Sequence, residues 1–385
     1  MEKLRLALFT DTYAPEINGV AKTLERWVTY LRAQGHECLV FAPSRPRREK
    51  TMSEATERLM SMPFFLYPEC RLAVPLSADA ERKLLKFRPT AIHVATPFGT
   101  GVVGRHLAVK HGIPLVASHH THFARYLPYY NLQWLGKLLW RYLHWFHRPC
   151  QKIYVPSNSV LEECRRAGWN RLEIWGRGVD TKRFRPHDNR AVLRRELGIS
   201  TETFVALYAG RIAPEKDPEV AVEAVALLAG RGADITFVAA GDGPSAAELK
   251  ELATAKGIQA RFLGPIAQEN LRLWMAASDT LLFPSATETF GNVVLEAMAC
   301  GLPVIGAAGG AVPDTIRHGV NGLLCPPGDA AAFAEALERL SSGRAMRELL
   351  SEAGLRYARG RSWDEIFRGL KMSLEEEVGV RSAAL

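Results

Sequence analysis

Short apolar runs alternate with longer amphipathic stretches along almost the whole chain of 385 residues. In the first half, the apolar runs predict buried strands near Arg5–Phe9, Cys38–Ala42, Ile92–Ala95, Pro114–Ala117, Lys152–Pro156 and Leu172–Trp175. In the second half, they predict strands near Thr203–Ala209, Ile235–Ala240, Ala260–Leu263, Thr280–Phe283, Pro303–Ile305 and Gly322–Cys325. Helical periodicity lies between them, for example at Glu219–Leu228, Ser245–Lys256, Gln268–Ala276 and Ala330–Leu340. This alternation indicates an α/β fold with parallel sheets covered on both faces.

Two such series of strands predict two doubly wound domains, each with ligands at the carboxyl ends of its strands. The chain is also longer than a typical domain built around one hydrophobic core. The linker is expected in the polar stretch Asp180–Asn189, which contains Pro186 and lacks apolar periodicity. We therefore predict a first domain over residues 1–185, a second over 186–362, and a terminal helical segment over 363–385.

Composition narrows the class of protein. The hydrophobic fraction of 47% and the charged fraction of 23% are ordinary for a globular protein. No stretch approaches the roughly 20 apolar residues of a membrane span, and the short apolar run after Arg5 is interpreted as a strand and not as a signal peptide. The six cysteines form no CxxC pair, which indicates reduced thiols in a cytoplasmic protein. Cys300, inside an apolar run, is interpreted as a small core residue.

The net charge of +8 is unevenly distributed. Residues 1–185 contain 29 Lys and Arg against 15 Asp and Glu, and residues 82–161 contain 11 basic residues and no acidic one. Such a field attracts phosphates, anionic lipid headgroups or nucleic acid. Nucleic acid would require a recognised module, or a basic helix without a bulky apolar face. The sequence contains neither, so we expect no nucleic-acid partner.

A GxGxxG pattern occupies residues 99–104, between a predicted strand and a predicted helix. This is the context of a dinucleotide-binding turn. That fingerprint also requires an acidic residue about 20 positions later, for the ribose. None follows within residues 82–161, and the strand is not the first of its domain. We therefore interpret the pattern as a tight turn with a helix packed closely on the sheet, and the nicotinamide or flavin alternative as the weaker one.

Two loops of the second half carry the candidate chemistry. In the first, Arg211 and Lys216 follow a strand that ends at Gly210. Fixed cations there would stabilise a departing diphosphate; the alternative is two solvated surface charges. In the second, Glu288 lies on a loop before a helix that begins near Asn292, whose early N–H groups suit a phosphate. A pair of carboxylates is also typical of a glycoside hydrolase, but the neighbouring cations and helix start favour transfer.

The spacing of Glu288 and Glu296 resembles the EX7E signature of the retaining nucleotide-sugar glycosyltransferases of the GT-B fold, specifically glycosyltransferase family 4 and its bacterial mannosyl- and sulfoquinovosyl-transferases. Co-linear motifs carry the same resemblance: TDTYAPEINGVAKT at 10–23, HHTHF at 119–123, VPSNS at 155–159, GRGVD at 176–180, AGRIAPEKDPE at 209–219, GDGP at 241–244 and ETFGNVVLEAMACGLPVI at 288–305. The resemblance implies two Rossmann-like domains facing across a cleft, the donor bound mainly by the second and the terminal helix crossing back to the first.

The resemblance also implies roles for individual residues. Arg211 and Lys216 would hold the diphosphate, Glu288 the donor sugar and Glu296 the ribose. Gly19 would allow the donor and acceptor to approach the backbone closely. The other donor contacts would be made mostly by backbone groups, at Pro265, Ile266, Phe290, Gly291, Asn292 and Val293. The anomeric configuration would be retained by same-face attack, without a protein nucleophile. No metal or cofactor is expected; the chain contains no DxD motif, and the nucleotide sugar is a substrate.

Three histidines, His119, His120 and His122, follow the predicted strand Pro114–Ala117. Histidines are common metal ligands, but no carboxylate or cysteine lies nearby in the sequence. The family analogy places one histidine beside the donor sugar, where it would orient hydroxyls or relay a proton. Alignment on the His-Thr pair favours His120 over His119.

The segment 126–148 predicts a basic amphipathic helix. Lys137, Arg141, His144 and Arg148 fall on one stripe, Leu135, Leu139, Tyr142 and Phe146 fall opposite, and Trp134, Trp140 and Trp145 flank the basic side. Interfacial aromatics beside cations suit an anionic membrane, and a helix packed on its own sheet is the alternative. The resemblance favours a lipid acceptor and a location on the inner face of the plasma membrane. A soluble acceptor such as a sugar phosphate, inositol phosphate, malate or an aminocyclitol, or a non-catalytic peripheral membrane protein, stays open.

Overall fold

The computed structural model describes residues 3–16, 19–44, 56–64, 67–73, 78–119, 134, 136–288 and 291–382. The chain divides into two compact units. One contains the described residues up to Trp175 together with those from Ile366 onward, and the other contains Gly176–Glu365. In the described part of the chain, none of the helices has the length and apolar character needed to span a membrane.

The first unit is built on a parallel sheet of seven strands in the order β3-β2-β1-β6-β7-β8-β9. Its strands are β1 Arg5–Phe9, β2 Glu37–Pro43, β3 Thr56–Leu59, β6 Ala91–Val94, β7 Leu115–Ser118, β8 Lys152–Val155 and β9 Leu172–Ile174. A separate antiparallel hairpin joins β4 Ser61–Phe64 to β5 Tyr67–Ala73. The central strands are almost wholly buried, as expected where helices cover both faces of a parallel sheet.

The second unit contains a six-stranded parallel sheet in the order β12-β11-β10-β13-β14-β15. Its strands are β10 Phe204–Ala209, β11 Ile235–Ala240, β12 Gln259–Gly264, β13 Thr280–Phe283, β14 Val304–Ala307 and β15 Leu323–Cys325. The chain runs outward in one direction from β10 to β12 and in the other from β13 to β15. The sheet therefore has its topological switch point between β10 and β13, where open α/β sheets bind ligands.

Helices flank both sheets. In the first unit they are α1 Gly19–Ala33, α2 Ala78–Phe87, α3 Gly99–His111, α4 Gly136–His147 and α5 Asn158–Arg166. In the second they are α6 Arg190–Glu196, α7 Pro218–Gly230, α8 Ala246–Ala255, α9 Gln268–Ala277, α10 Asn292–Ala299, α11 Val312–Thr315, α12 Ala330–Ser342 and α13 Arg344–Arg359. The last helix, α14 Trp363–Ser382, begins in the second unit and belongs to the first from Ile366 onward. There its Phe367 ring packs 5.4 Å from that of Trp27.

All twelve strands predicted from the apolar runs are present, with ends that differ by at most two residues. The three strands β3, β4 and β5 were not predicted. Strand β3 is the edge strand Thr56–Leu59, in which Glu57 and Arg58 are only half-buried. A polar edge strand has no continuous apolar run to reveal it. Cys300 is buried in the core of the second unit, which confirms the interpretation of that residue.

The GxGxxG pattern forms the start of α3, packed against β1. A Cβ atom on Gly101 would lie 1.8 Å from the Thr96 carbonyl oxygen, and one on Gly104 would lie 2.5 Å from the Phe9 ring. Asp11, at the end of β1, accepts hydrogen bonds from the Thr100 backbone N–H and from Thr96 Oγ1, each at 2.7 Å. The glycines thus serve close packing of helix on sheet, as the sequence interpretation expected, and a carboxylate of the protein itself occupies the start of the helix.

Candidate active site

A cavity of about 270 Å³ opens at the switch point of the second unit. Its walls come from the loop after β10, the loop after β13, the first turns of α10 and one residue of α9. The lining residues are Tyr208, Ala209, Gly210, Arg211, Lys216, Leu271, Phe283, Pro284, Ser285, Glu288, Gly291, Asn292, Val293 and Glu296. The two loops that the sequence marked as carrying chemistry therefore meet at one site, because β10 and β13 are neighbours in the sheet.

The loop after β10 is held by backbone contacts with its neighbour. Gly210 has φ 151° and donates its N–H to the Ala240 carbonyl oxygen at 3.0 Å. A Cβ on Gly241 would lie 1.8 Å from the Gly210 oxygen, so only glycine fits at position 241. The Tyr208 hydroxyl donates to the Arg211 carbonyl oxygen at 2.7 Å, and burial raises the pKa of that phenol well above its usual range. These contacts fix the backbone that carries the cations.

Both cations of the cavity lie beside carboxylates. Lys216 Nζ donates a hydrogen bond to Glu288 Oε1, and both side chains are largely shielded from solvent. Arg211 is more exposed, and its guanidinium lies 3.9 Å from Glu215 Oε1. The alternative of two solvated surface charges is therefore wrong for Lys216, because its ammonium group is shielded from solvent and contacts the Glu288 carboxylate.

The Glu288 loop is clamped from both sides. Thr287 Oγ1 donates to the Glu215 carbonyl oxygen at 2.7 Å, which joins the loop to the turn that carries Lys216. On the other side, the Ala311 N–H donates to the Glu288 carbonyl oxygen at 2.9 Å. Gly310 has φ 57°, and a Cβ there would lie 2.5 Å from the same oxygen.

Sequence reasoning missed this clamp at Gly309-Gly310. The only signal was a glycine pair a few residues after the predicted strand at Pro303–Ile305. That strand is β14, the neighbour of β13, so the loops that follow the two strands are adjacent.

The start of α10 presents polar groups to the cavity. Gly291 precedes the helix in the left-handed conformation, φ 78° and ψ 62°, which favours glycine. Asn292 and Val293 form the first turn, and Glu296 follows one turn later on the cavity wall. Among the described residues, none donates a hydrogen bond to the buried Asn292 Oδ1. The Val294 N–H donates to the Gly291 oxygen. The first N–H groups of a helix have no partner one turn earlier in the helix, which suits an anionic ligand.

Three other predicted donor residues do not line this cavity. Pro265 and Ile266 follow β12 on the far side of β11, and Ile266 packs against the hydrophobic core. Gly19 is the first residue of α1 and belongs to the other unit. Phe290 and His120 lie outside the described residues. The cavity therefore contains Arg211, Lys216, Glu288 and the predicted residues of α10 and its cap.

His119 is a core residue. It is buried, and its ring packs 5.2 Å from Trp169 and 5.8 Å from His147. A second buried histidine, His93, hydrogen-bonds through Nε2 to Ser118 Oγ at 2.5 Å, and burial lowers its pKa to about 3. Sequence reasoning did not single out His93. Among the residues that the structure describes, no group of three or more His, Cys, Asp or Glu is arranged to hold a metal ion.

Helix α4 exposes the basic stripe predicted from the sequence. Lys137, Arg141, His144 and Arg148 face solvent, and three large apolar residues are exposed beside them: Trp134, Leu138 and Trp145. The opposite face buries Leu143, Phe146 and His147. One expectation was wrong: Trp140 does not flank the basic side but packs inward, with its ring 5.6 Å from that of Trp169.

Two family models match the chain. The model described as Glycosyltransferase Family 4 matches residues 17–183, and the model described as Glycosyl transferases group 1 matches residues 189–357. A GDP-mannose-dependent alpha-mannosyltransferase of Corynebacterium glutamicum is 33% identical over 338 residues, 87% of this chain and 79% of that protein. A sulfoquinovosyl transferase of Arabidopsis thaliana is 32% identical over 361 residues, 91% of this chain and 69% of that protein.

The crystal structure of Anabaena HepE in complex with UDP matches with a TM-score of 0.82 at 20% identity, covering 97% of this chain and 100% of that one. At this identity, the match bears on the fold alone. It confirms the predicted fold class of two parallel Rossmann-like α/β domains.

Proposed function

The chain belongs to the group 1 and family 4 glycosyltransferases of the GT-B fold, and we propose that it moves a hexose from UDP-hexose or GDP-mannose to a membrane lipid, with retention of anomeric configuration and without a metal ion. The observation that carries the proposal is the cavity of the second unit. It gathers two cations, two carboxylates and the start of a helix within one site. These are the groups that a nucleotide diphosphate sugar requires.

In this proposal each group has one task. Arg211, Lys216 and the first N–H groups of α10 bind the diphosphate, Glu288 accepts hydrogen bonds from hydroxyls of the sugar, and Glu296 binds the ribose. The bond between the anomeric carbon and the diphosphate oxygen breaks, and the acceptor hydroxyl attacks the same face. Its proton passes to the departing phosphate oxygen. The fixed cations stabilise the charge on that oxygen, which is larger in the transition state than in the ground state.

Other predicted donor residues lie outside the described cavity, Pro265, Ile266 and His120 among them. Pro265 and Ile266 lie at the carboxyl end of β12, two strands from the cavity, where their backbone groups would contact the base. His120 would orient the sugar hydroxyls. We assign acceptor binding to the domain over residues 1–185, whose residues 82–161 contain 11 basic residues and no acidic one.

A thermal-shift screen of UDP, GDP and ADP, with and without their hexoses, tests the donor proposal. We expect one nucleoside diphosphate and its sugar to raise the unfolding temperature, and the anomeric proton of the product to show by NMR the same configuration as in the donor. Equal turnover in EDTA is expected if Arg211 and Lys216 supply the charge that a metal would supply. No stabilisation by any nucleotide would refute the donor site.

The lipid acceptor is supported by the exposed face of α4. Trp134, Leu138 and Trp145 form an apolar strip beside Lys137, Arg141 and Arg148, a pairing suited to the interface of an anionic bilayer. Arg105 stacks on the Trp145 ring at 3.9 Å, which fixes that ring on the protein surface. In this proposal the enzyme is a peripheral protein on the inner face of the plasma membrane.

Sedimentation with liposomes tests the membrane proposal. We expect binding to anionic vesicles at low salt and release at high salt, and loss of binding when Lys137, Arg141 and Arg148 are all replaced by Gln. Neutral vesicles are the control. Transfer to an inositol phosphate or sugar phosphate, with no transfer to extracted lipid, would show instead that the acceptor is soluble.

A further inference from the structure

The cavity holds one close ion pair and one loose one. Lys216 and Glu288 are in direct hydrogen-bond contact, with side chains only 17% and 18% exposed. Arg211 and Glu215 are 3.9 Å apart, and the arginine side chain is 40% exposed. Water screens a shielded pair less than an exposed one. Lys216 therefore belongs to the closer and better shielded of these two ion pairs.

Resting on the proposed function, we propose that Glu288 competes with the diphosphate for Lys216 and thereby lets the site discriminate the intact nucleotide sugar from the nucleoside diphosphate product. Both ligands must draw Lys216 away from Glu288. The donor compensates for this, because its sugar hydroxyls donate to the released carboxylate. The product has no sugar, so its binding leaves the Glu288 carboxylate uncompensated and close to a second anion.

The exchange requires only side-chain rotation. The backbone of Lys216 is held by its N–H, which donates to the Ala213 carbonyl oxygen at 2.9 Å. The backbone of Glu288 is held by the Ala311 N–H, also at 2.9 Å. Thr287 joins the two loops through its 2.7 Å hydrogen bond to the Glu215 oxygen. After the sugar has left with the acceptor, Glu288 is in place to bind Lys216 again and to favour release of the diphosphate.

The test is calorimetric titration of the full-length protein with inorganic pyrophosphate, UDP and GDP, in the wild type and in Glu288→Gln. We expect pyrophosphate and the preferred nucleoside diphosphate to bind about fivefold more tightly to the variant, the factor that corresponds to ~1 kcal/mol for one screened ion pair. The affinity for the nucleotide sugar should rise by a smaller factor than that for the diphosphates, or fall. The reason is that the neutral Gln amide accepts weaker hydrogen bonds from the sugar hydroxyls than the Glu288 carboxylate does.

Glu296→Gln is the matched control. It removes the same charge from the same cavity wall, and pyrophosphate has no ribose for Glu296 to contact. A general electrostatic effect would tighten pyrophosphate binding equally in both variants, whereas release of Lys216 tightens it in Glu288→Gln alone. In a Lys216→Met background, the Glu288→Gln change should lose its effect on pyrophosphate affinity.

Pyrophosphate and nucleoside diphosphate binding to Glu288→Gln no tighter than to the wild type would overturn the inference, and so would equal tightening in Glu296→Gln. Both results would leave the glycosyltransferase assignment intact. If the wild type and both folded variants bound no nucleoside diphosphate, the donor site itself would be refuted, and the inference with it. Product inhibition gives a second readout: we expect the nucleoside diphosphate to inhibit residual transfer by Glu288→Gln more strongly than transfer by the wild type.

Discussion

Replacing Gly310 by alanine should impair catalysis although Gly310 does not line the cavity. The new Cβ would lie 2.5 Å from the Glu288 carbonyl oxygen and 2.8 Å from that of Ala286. Both neighbours are backbone atoms of the clamped loop, so the loop must move as a whole. An ordinary contact of about 3.4 Å requires the Glu288 oxygen to retreat by roughly 0.9 Å. That displacement would also lengthen its hydrogen bond from the Ala311 N–H.

The expected loss follows from the size of this shift. A misplacement of about 1 Å in a catalytic group can cost around 100-fold in rate. Alanine at φ 57° adds a conformational cost of about 1–2 kcal/mol to folding. Gly319→Ala separates the two effects, because Gly319 has φ 74° and a Cβ there would meet nothing within 4 Å. The control should lose similar stability from its backbone and keep full transfer activity.

Initial rates at saturating donor, together with unfolding free energies from urea titration, provide the comparison. We expect kcat to fall about 100-fold in Gly310→Ala and to stay within about twofold of the wild type in Gly319→Ala. If both variants were equally active, the glycine clamp would not position Glu288. If both lost activity in proportion to lost stability, the effect would be one of folding alone.

Three further outcomes are expected. Lys216→Ala and Glu288→Ala should each reduce transfer at least ~100-fold, the scale for removing a preorganised charged contact; folded variants with near-normal turnover would contradict the site. Gly101→Ala should prevent folding or cost several kcal/mol, as measured by urea unfolding, because its Cβ would lie 1.8 Å from a backbone oxygen. Because burial lowers the pKa of His93 to about 3, the unfolded chain binds a proton at this residue at pH values where the folded chain does not. The free energy of unfolding should therefore decrease as the pH is lowered from about 6.5 to 3, by up to ~1.4 kcal/mol per pH unit. An unfolding free energy that did not change over this pH range would contradict the prediction.

The sequence predicted the cavity because its parts follow strands that the parallel-sheet pattern places side by side. Arg211 and Lys216 follow β10, Glu288 follows β13, and the two strands are neighbours in the sheet. The contact between Lys216 and Glu288 was not predictable, since it joins side chains 72 positions apart. The Gly310 clamp was missed for a similar reason: its loop follows β14, and its partner is the backbone of another loop.

Other features were missed or misassigned because polar residues interrupt the apolar pattern or because a contact joins distant parts of the chain. Strand β3 was not predicted because Glu57 and Arg58 interrupt the apolar run. Trp140 was assigned to the basic side of the helix from helical spacing alone. Its ring packs on Trp169, which lies beyond α4 in the sequence, and helical periodicity does not predict such a contact. The buried pair of His93 and Ser118 links two strands through polar side chains, which an apolar strand pattern does not reveal.

Asp11 caps the start of α3 from within the first unit. Its carboxyl oxygens accept hydrogen bonds from the Thr100 N–H and from Thr96 Oγ1, so the N–H of Thr100 has a partner in the folded unit, although burial raises the pKa of this carboxyl. In the part of the chain that the structure describes, no side chain caps the corresponding end of α10, behind Gly291. Two domains of one architecture thus differ in what meets the start of a helix: a side chain of the chain itself in one and, under the proposed function, the diphosphate of the donor in the other.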